Sequence, residues 1–388
     1  MSGKELDRVG VMARVKGTDR APSPGSPKSQ SNLRRHYDRS KMHEEDRMAS
    51  TTPSHQPTPT LFFDTVQGYQ RAYALKAAVD LDLFTAIAGG SATVAEIARV
   101  CKAPERGIRI LADYMTVAGF LVKSGELYSL TPDTAFFLDS RSPAYMGRAL
   151  NFLLHPVQTE QIQQLAGTIR KGEGPSHTLA PDDLVWVDFA KGMAPMMFPA
   201  AQAIAGALKP ALAGKLAPKI LDIAAGHGIF GISIAQQCPN AQIYALDWAP
   251  VLQIAQQNAA GMGVADRYHL LPGSAFAVET GSGYDAVLLT NFLHHFDPAT
   301  NVTLLKKVHA ALAPRGQAVI LEFVPNDDRV SPPVAAMFSL TMLSNTPHGD
   351  AYTFAELSDM CRKAGLESPH LVSLAPGPES LVIVRRPV

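Results

Sequence analysis

"KILDIAAGHGIFG", residues 219–231, decides how the second half of the chain is read. It opens as an apolar strand interrupted by one acid, Asp222, and then turns through Gly226 and Gly228. Those glycines permit a tight turn and a close ligand approach that a side chain would block, and the helix that follows presents its N-terminal amides to the same place. Outward from this stretch, strands alternate with helices: "AQIYALDW" (241–248), "RYHLLPG" (267–273), "YDAVLLTNFL" (284–293) and "GQAVILEFV" (316–324), with helical runs through Gln236, Ala260 and Leu312. That alternation predicts an α/β fold, a doubly wound, Rossmann-like parallel sheet whose ligands bind at the carboxyl ends of its strands.

Gly-x-Gly by itself is a weak signal, and although Gly231 completes a Gly-x-Gly-x-x-Gly spacing, the strand before it carries Asp222. An acid there repels a dinucleotide's pyrophosphate but suits a ligand with an amine or sulfonium. Twenty-five residues on, the second strand ends in Asp247. An acid at that point is placed to accept hydrogen bonds from both ribose hydroxyls; it could also cap the helix "APVLQIAQQNA". Together the two acids favour a nucleoside with a cationic centre, and S-adenosylmethionine (SAM) meets that description. The P-loop Gly-Lys-Ser/Thr signature is absent, which disfavours a phosphate-binding ATPase.

The first half reads differently. Residues 1–58 hold Pro22, Pro24, Pro27, Pro53 and Pro57 among polar residues, with eleven Lys and Arg against seven Asp and Glu. Such a segment buries too little apolar surface to offset its ordering entropy and is expected to be disordered. It is read as a spectator extension or an electrostatic tether, and Met42 and Met48 are read as candidate translation starts. From Leu61 to about Arg170 the pattern is helical. Tyr69, Ala72, Tyr73, Leu75, Ala77, Val79 and Leu83 fall near one face before a Gly89-Gly90 stop, Thr93 and Glu96 form a capping-box pattern, and a third helix runs from Pro104 to Gly119. "FLVKSGELYSL" (120–130) then reads as a hairpin about Ser124-Gly125. Three helices and a hairpin outline a winged helix over 59–170, followed by an α/β domain over 171–388. Nucleic acid is an unfavoured partner, since only Arg106, Arg109 and Lys123 are available on the third helix and wing. The apolar helices of 61–119 instead predict a homodimer through this domain. Between the two halves, "LVWVDFAKGMAPMMFPAAQAIAGALKPAL" (184–212) is Met-rich, as a core helix or an adaptable apolar pocket would be.

The whole chain is 388 residues, 46% hydrophobic and 18% charged, with 35 basic and 35 acidic residues. That length predicts two domains, and the balanced charge supplies no field toward nucleic acid or anionic lipid. Three widely spaced cysteines, Cys101, Cys238 and Cys361, fit a reducing compartment and no metal-type pair. With no run of ~18 apolar residues, no membrane association is expected and a cytoplasmic location is read.

At this level the sequence resembles the small-molecule O-methyltransferases of the caffeic acid and acetylserotonin type, with an N-terminal winged-helix dimerisation domain and a C-terminal SAM-dependent domain. The resemblance covers about residues 60–388. "FAKGM" (189–193) is similar to the family's Phe-x-Lys-Gly-Met, "LDIAAGHG" to its glycine-rich SAM loop and "LDWAP" to its ribose-binding segment. "NFLHHFDP" (291–298) resembles the Leu-His-Asp-Trp segment that carries the catalytic histidine, and "LEFVP" (321–325) the strand whose Glu orients it. The resemblance implies His294 as catalytic base and Glu322 as its carboxylate. It implies a SAM site from Asp222, Gly226, Gly228, Asp247, Ser274 and Phe276, with Phe276 near the adenine, and an acceptor pocket from Phe189, Met193, Phe338 and Met342. The chain departs from the family pattern in "GSAF" (273–276), in His295 and Phe296 for the family's Asp and Trp, and in Ala351 beside Asp350 near a second active-site Glu.

A neutral imidazole is a natural base for a phenol near pH 7, and a carboxylate on its far nitrogen fixes the tautomer. His294 and His295 as a metal pair is disfavoured, because adjacent residues diverge and no further ligands recur at helical spacing; no metal is expected. The leading reading is an O-methyltransferase acting on a small, apolar, aromatic hydroxyl compound. A carbon- or nitrogen-directed methyltransferase of the same fold and a winged-helix ligand-sensing regulator stay open as alternatives.

Overall fold

The computed structural model describes residues 56–175, 184–375 and 377–388. All but the last three positions of the 1–58 segment, with the disorder expected of it, lie outside the described residues.

Among the described residues, five helices, Thr60–Val66, Gly68–Asp80, Leu83–Ala88, Val94–Cys101 and Glu105–Val117, precede a hairpin of β1 (Leu121–Ser124) and β2 (Leu127–Leu130). The first expected helix is two: Asp82 adopts a left-handed conformation (φ 53°), so Leu83 starts a new helix and carries Phe84 and Ile87 into the core. Tyr69 and Tyr73, expected on the inward face, are exposed. The Thr93–Glu96 capping box forms as read, Thr93 Oγ1 accepting the Glu96 N–H while Glu96 takes the Thr93 N–H (2.9 Å). Leu83, Phe84, Ile97, Ile108, Met115, Leu121 and Tyr128 make a core separate from that of the sheet. Arg109 and Lys123, two of the three basic residues considered for nucleic acid, both pair with Asp113 (3.0 and 2.6 Å).

The second half is a seven-stranded sheet of β3 (Lys219–Ile223), β4 (Gln242–Asp247), β5 (Tyr268–Pro272), β6 (Tyr284–Thr290), β7 (Leu312–Glu322), β8 (Glu367–Ser373) and β9 (Ser380–Arg385), in the order β5-β4-β3-β6-β7-β9-β8. β3 to β7 pair in parallel as the alternating pattern requires. The sheet as a whole is mixed, which corrects the expectation of a wholly parallel one. The six residues between β8 and β9 are too few for a crossover, so β9 returns antiparallel to β8 and to β7. Both faces are buried. Along β6, Ala286 and Leu288 join the core under the helices Ala194–Leu212 and Ile229–Gln237, while Val287 and Leu289 join the core under Pro298–Ala311 and Phe354–Lys363. A two-sided core needs strands apolar at every position, as "AVLL" is.

The topology locates the site. Strand order reverses between β3 and β6, and the crevice outside the carboxyl ends of those strands is where such sheets bind ligands. The expected strand "YDAVLLTNFL" stops at Thr290. Asn291 turns left-handed (φ 52°), and Leu293–His295 forms a short 3₁₀ turn. His294 therefore sits on a turn at the mouth of the crevice.

Candidate active site

On the β3–β4 side the site is made of backbone and acids. After β3, Gly226 (φ 57°) and Gly228 (φ 77°) adopt conformations that L side chains rarely reach. A Cβ on Gly228 would lie 2.5 Å from Tyr268 Oη and 3.0 Å from Ala255 Cβ, so packing by itself requires a glycine here. Asp247 ends β4 and ties the loop down. Its Oδ2 accepts the Gly226 N–H (2.8 Å) and its Oδ1 the Trp248 N–H (2.7 Å). The helix that follows is capped by Trp248 without a side-chain bond, so the helix-cap role considered for Asp247 is absent. Burial pushes the Asp247 carboxyl up to about 6, against the downward pull of the two amides.

Asp222 lies beneath the loop. It is fully buried, its Oδ2 accepts the Gly231 N–H (3.2 Å), and its Oδ1 has no partner among the described residues. It braces the loop from beneath. Burial raises its carboxyl to about 7. Ser274 Oγ accepts the Phe276 N–H (3.2 Å), and the Phe276 ring meets Phe296 edge-on at 5.1 Å. Lys307 fastens this loop, donating to the carbonyls of Ala275 (3.1 Å) and Phe276 (2.7 Å).

Opposite, on the β6–β7 side, the site is built from side chains. His294 Nδ1 and Glu322 Oε2 lie 2.6 Å apart, both groups buried. Glu322 Oε1 also accepts the N–H groups of Phe292 (3.1 Å) and His294 (3.2 Å), so one carboxylate at the end of β7 holds both the imidazole and the turn that carries it. Nε2 of His294 has no hydrogen-bond partner among the described residues. Phe338, from the helix Pro333–Asn345, packs edge-on to the imidazole at 4.9 Å and stacks on Phe323 at 4.0 Å; Met342 is buried on the same helix. His295 is enclosed by Trp186, Phe292 and Phe296, and burial, followed by the His294 charge, holds it well below the ordinary histidine range.

The predicted acceptor residues do not all meet. Phe189 lies over the glycine loop, its ring parallel to His227 at 6.0 Å, and Met193 is buried at the start of Ala194–Leu212. Trp186 spans the two sides, touching Phe189 (6.3 Å) and His295 (5.5 Å). Asp350 is committed elsewhere: its Oδ2 pairs with Arg329 (3.2 Å) and its Oδ1 accepts the Ala351 N–H (2.8 Å). Tyr352 of the same segment donates to the Phe296 carbonyl (2.5 Å) and so buttresses the His294 turn. Two cavities, of about 220 and 370 Å³, open around Arg148 and Lys191, and neither includes a predicted site residue.

Comparison with known proteins gives the family. The family model of the O-methyltransferase domain matches residues 186–367, and that of the O-methyltransferase dimerisation domain residues 63–140. A putative O-methyltransferase structure from Nostoc punctiforme is 48% identical, spans 85% of this chain and 99% of its own, and superposes with a TM-score of 0.80. The chain belongs to the SAM-dependent O-methyltransferases. The 3-hydroxy-5-methyl-1-naphthoate 3-O-methyltransferase of Streptomyces sahachiroi is 29% identical to this methyltransferase over 340 residues, 86% of this chain and 97% of the relative. Human N-acetylserotonin methyltransferase, solved with SAM, shares the fold at 18% identity (TM-score 0.75, 87% of this chain and 99% of that one). The glycine cradle and the acceptor-only Asp247 carboxylate fit SAM. Sequence reasoning did not single out Trp186, Asn291, Lys307, Tyr352 or Glu379. Trp186 and Asn291 lie inside the quoted stretches 184–212 and 291–298, and Tyr352 follows Asp350 and Ala351, but nothing local to those stretches marks these residues out.

Among the described residues no helix is long and apolar enough to cross a membrane, and no cluster of three or more His, Cys, Asp or Glu could hold a metal ion.

Proposed function

We propose that His294 is the general base of methyl transfer to the hydroxyl of a small, apolar, aromatic acceptor. The observation that carries this is the buried 2.6 Å contact between His294 Nδ1 and Glu322 Oε2, with Nε2 left without a protein partner. Glu322 accepts a hydrogen bond from Nδ1–H, which fixes the tautomer that leaves a lone pair on Nε2. Nε2 takes the hydroxyl proton as the oxygen is methylated, and the Glu322 charge stabilises the imidazolium that results. Bound SAM supplies an activated methyl group. Asp247 would hold its ribose, the Ser274–Phe276 loop its adenine and the Gly226–Gly228 loop its amino-acid end; Asp222 acts only by holding the loop. Phe338 and Met342, with Trp186, wall the acceptor side, and Phe189 and Met193 close it toward the loop.

We further propose domain limits of 59–170 and 171–388, and a homodimer through the first. Phe62, Phe63, Tyr69, Val117, Val122 and Leu127 are exposed in the single chain, an apolar surface that a second copy would cover. A monomer with full activity at micromolar concentration in a sedimentation run would contradict this.

The test is turnover of labelled SAM with a panel of phenolic, quinone and tetrapyrrole compounds, run with the native enzyme and with His294→Ala. The expected result is an O-methylated phenolic product whose kcat falls by roughly 10²–10⁴ in the variant. Methylation at carbon or nitrogen, or a variant as active as the native enzyme, would refute the assignment.

A further inference from the structure

Glu379 has no part in the chemistry above, yet it is a buried carboxylate at the same edge of the sheet. It immediately precedes β9, and the antiparallel register pairs Glu322 with Ser380, so Glu379 stands one residue beyond the strand end that holds the His294 partner. Its Oε1 accepts from Asn291 Nδ2 (3.3 Å), which also approaches Met197 Sδ (3.5 Å). Asn291 is the left-handed residue that turns the chain out of β6 toward His294. The second oxygen, Oε2, has no protein partner among the described residues and is not among the sealed polar atoms. Such a group, nine-tenths buried with one oxygen still open, offers acceptor positions that a donor from outside the protein can fill.

Strand order says what that is. β9 lies two strands beyond β6, on the side away from the β3 loop and β4 acid that form the cofactor cradle. We infer that Glu379 is a specificity residue for the acceptor, receiving a hydrogen bond from a second donor group, a hydroxyl or an amine, on the aromatic ring system whose first hydroxyl faces His294. The inference rests on the acceptor side proposed above and names the class of compound that side selects. Electrostatics place it beside the pair: burial raises the Glu379 carboxyl, Asn291 opposes the rise, Glu322 adds to it and His294 opposes it. A site built to take a donor rejects the analogue that lacks it, because its own polar group is then left unpaired.

The test compares 1-naphthol with dihydroxynaphthalene isomers and with aminonaphthols, at saturating SAM, in the native enzyme and in Glu379→Gln. The native enzyme should favour at least one isomer with a second donor by more than about tenfold in kcat/KM. Glu379→Gln keeps the shape and the bond to Asn291 and loses the charge; it should erase most of that preference through KM and leave 1-naphthol turnover within about twofold. Preference for the hydroxyl or the amine series tells the two donors apart. A native enzyme without preference overturns the inference, as does a variant that loses activity equally on all acceptors, which would make Glu379 a prop for Asn291. Failure of every naphthol to be methylated while SAM still binds would count against the aromatic-acceptor reading itself, and this inference would fall with it.

Discussion

The two sides of the crevice are built by different means. On the β3–β4 side, loop amides, glycines and two acids are brought together by residues 222–247, and most of the geometry is local to one β-α-β unit. On the β6–β7 side, a turn after β6, a carboxylate ending β7, an aromatic from the helix Pro333–Asn345 and an acid before β9 converge from across nearly ninety residues. A cradle for a fixed cofactor can be made of backbone, which tolerates no side chain. A site that moves a proton and selects an acceptor needs side chains of chosen chemistry, and only the sheet's edge brings them together. Damage to one side should therefore leave the other measurable.

The largest expected effect is at Glu322. Glu322→Ala removes the imidazole's partner and leaves the Phe292 and His294 N–H groups without an acceptor, so kcat should fall by roughly 10²–10⁴ while the calorimetric Kd for SAM stays within about threefold. A parallel loss of SAM affinity would show that the two sides are one structural unit.

Gly228→Ala tests the other side. The new Cβ meets Tyr268 Oη at 2.5 Å in a backbone conformation that alanine resists, for a cost of about 1–3 kcal/mol. SAM affinity and melting temperature should both drop, with kcat at saturating SAM far less affected; unchanged SAM affinity would detach the loop from the cofactor.

Asp247 supplies a pH test. Its carboxyl titrates near 6, so SAM affinity should be flat above that pH and weaken about tenfold for each unit below it, as the acceptor is lost to protonation. Asp247→Asn should bind weakly without this dependence. A native affinity constant from pH 8 to pH 5 would contradict the ribose role.

The smallest effect on turnover is expected of Asp222→Asn, because the hydrogen bond that group accepts comes from the loop backbone at Gly231. Its carboxyl is raised to about 7 in the fold from an ordinary 3.8, so its contribution to stability is fully present below about 4 and lost as pH rises through 7. The native melting temperature should therefore decline from pH 5 to pH 8 more steeply than that of the variant, and an identical slope in both would remove Asp222 from the account.

How far each side was legible in the sequence follows from the same contrast. "LDIAAGHG" and "LDW" could be read because glycine and acid positions at a strand end are dictated by local backbone needs. The helix "VAEIARV" was equally legible through its capping box, whose partners lie three residues apart. That Asp222 is buried and accepts the Gly231 N–H was not legible, because the sequence puts an acid on the strand but does not say which way it points. The antiparallel β8–β9 pair was missed since "ESPHLVS" is mostly exposed and lacks a buried strand's apolar run. Glu379 left no trace, and Trp186 and Asn291 did not stand out within the stretches 184–212 and 291–298, because each has partners many residues away.

The central claim is that His294 and Glu322 act as one proton-accepting unit apart from the cofactor cradle. A double-mutant cycle of His294→Ala and Glu322→Gln, read in kcat at saturating SAM with the true acceptor, addresses it most directly. The account predicts that the double variant is no slower than His294→Ala within about threefold, each SAM affinity staying near native, because a carboxylate has nothing to orient once the imidazole is gone. Fully additive losses, or a His294→Ala rate within about threefold of native, would contradict it.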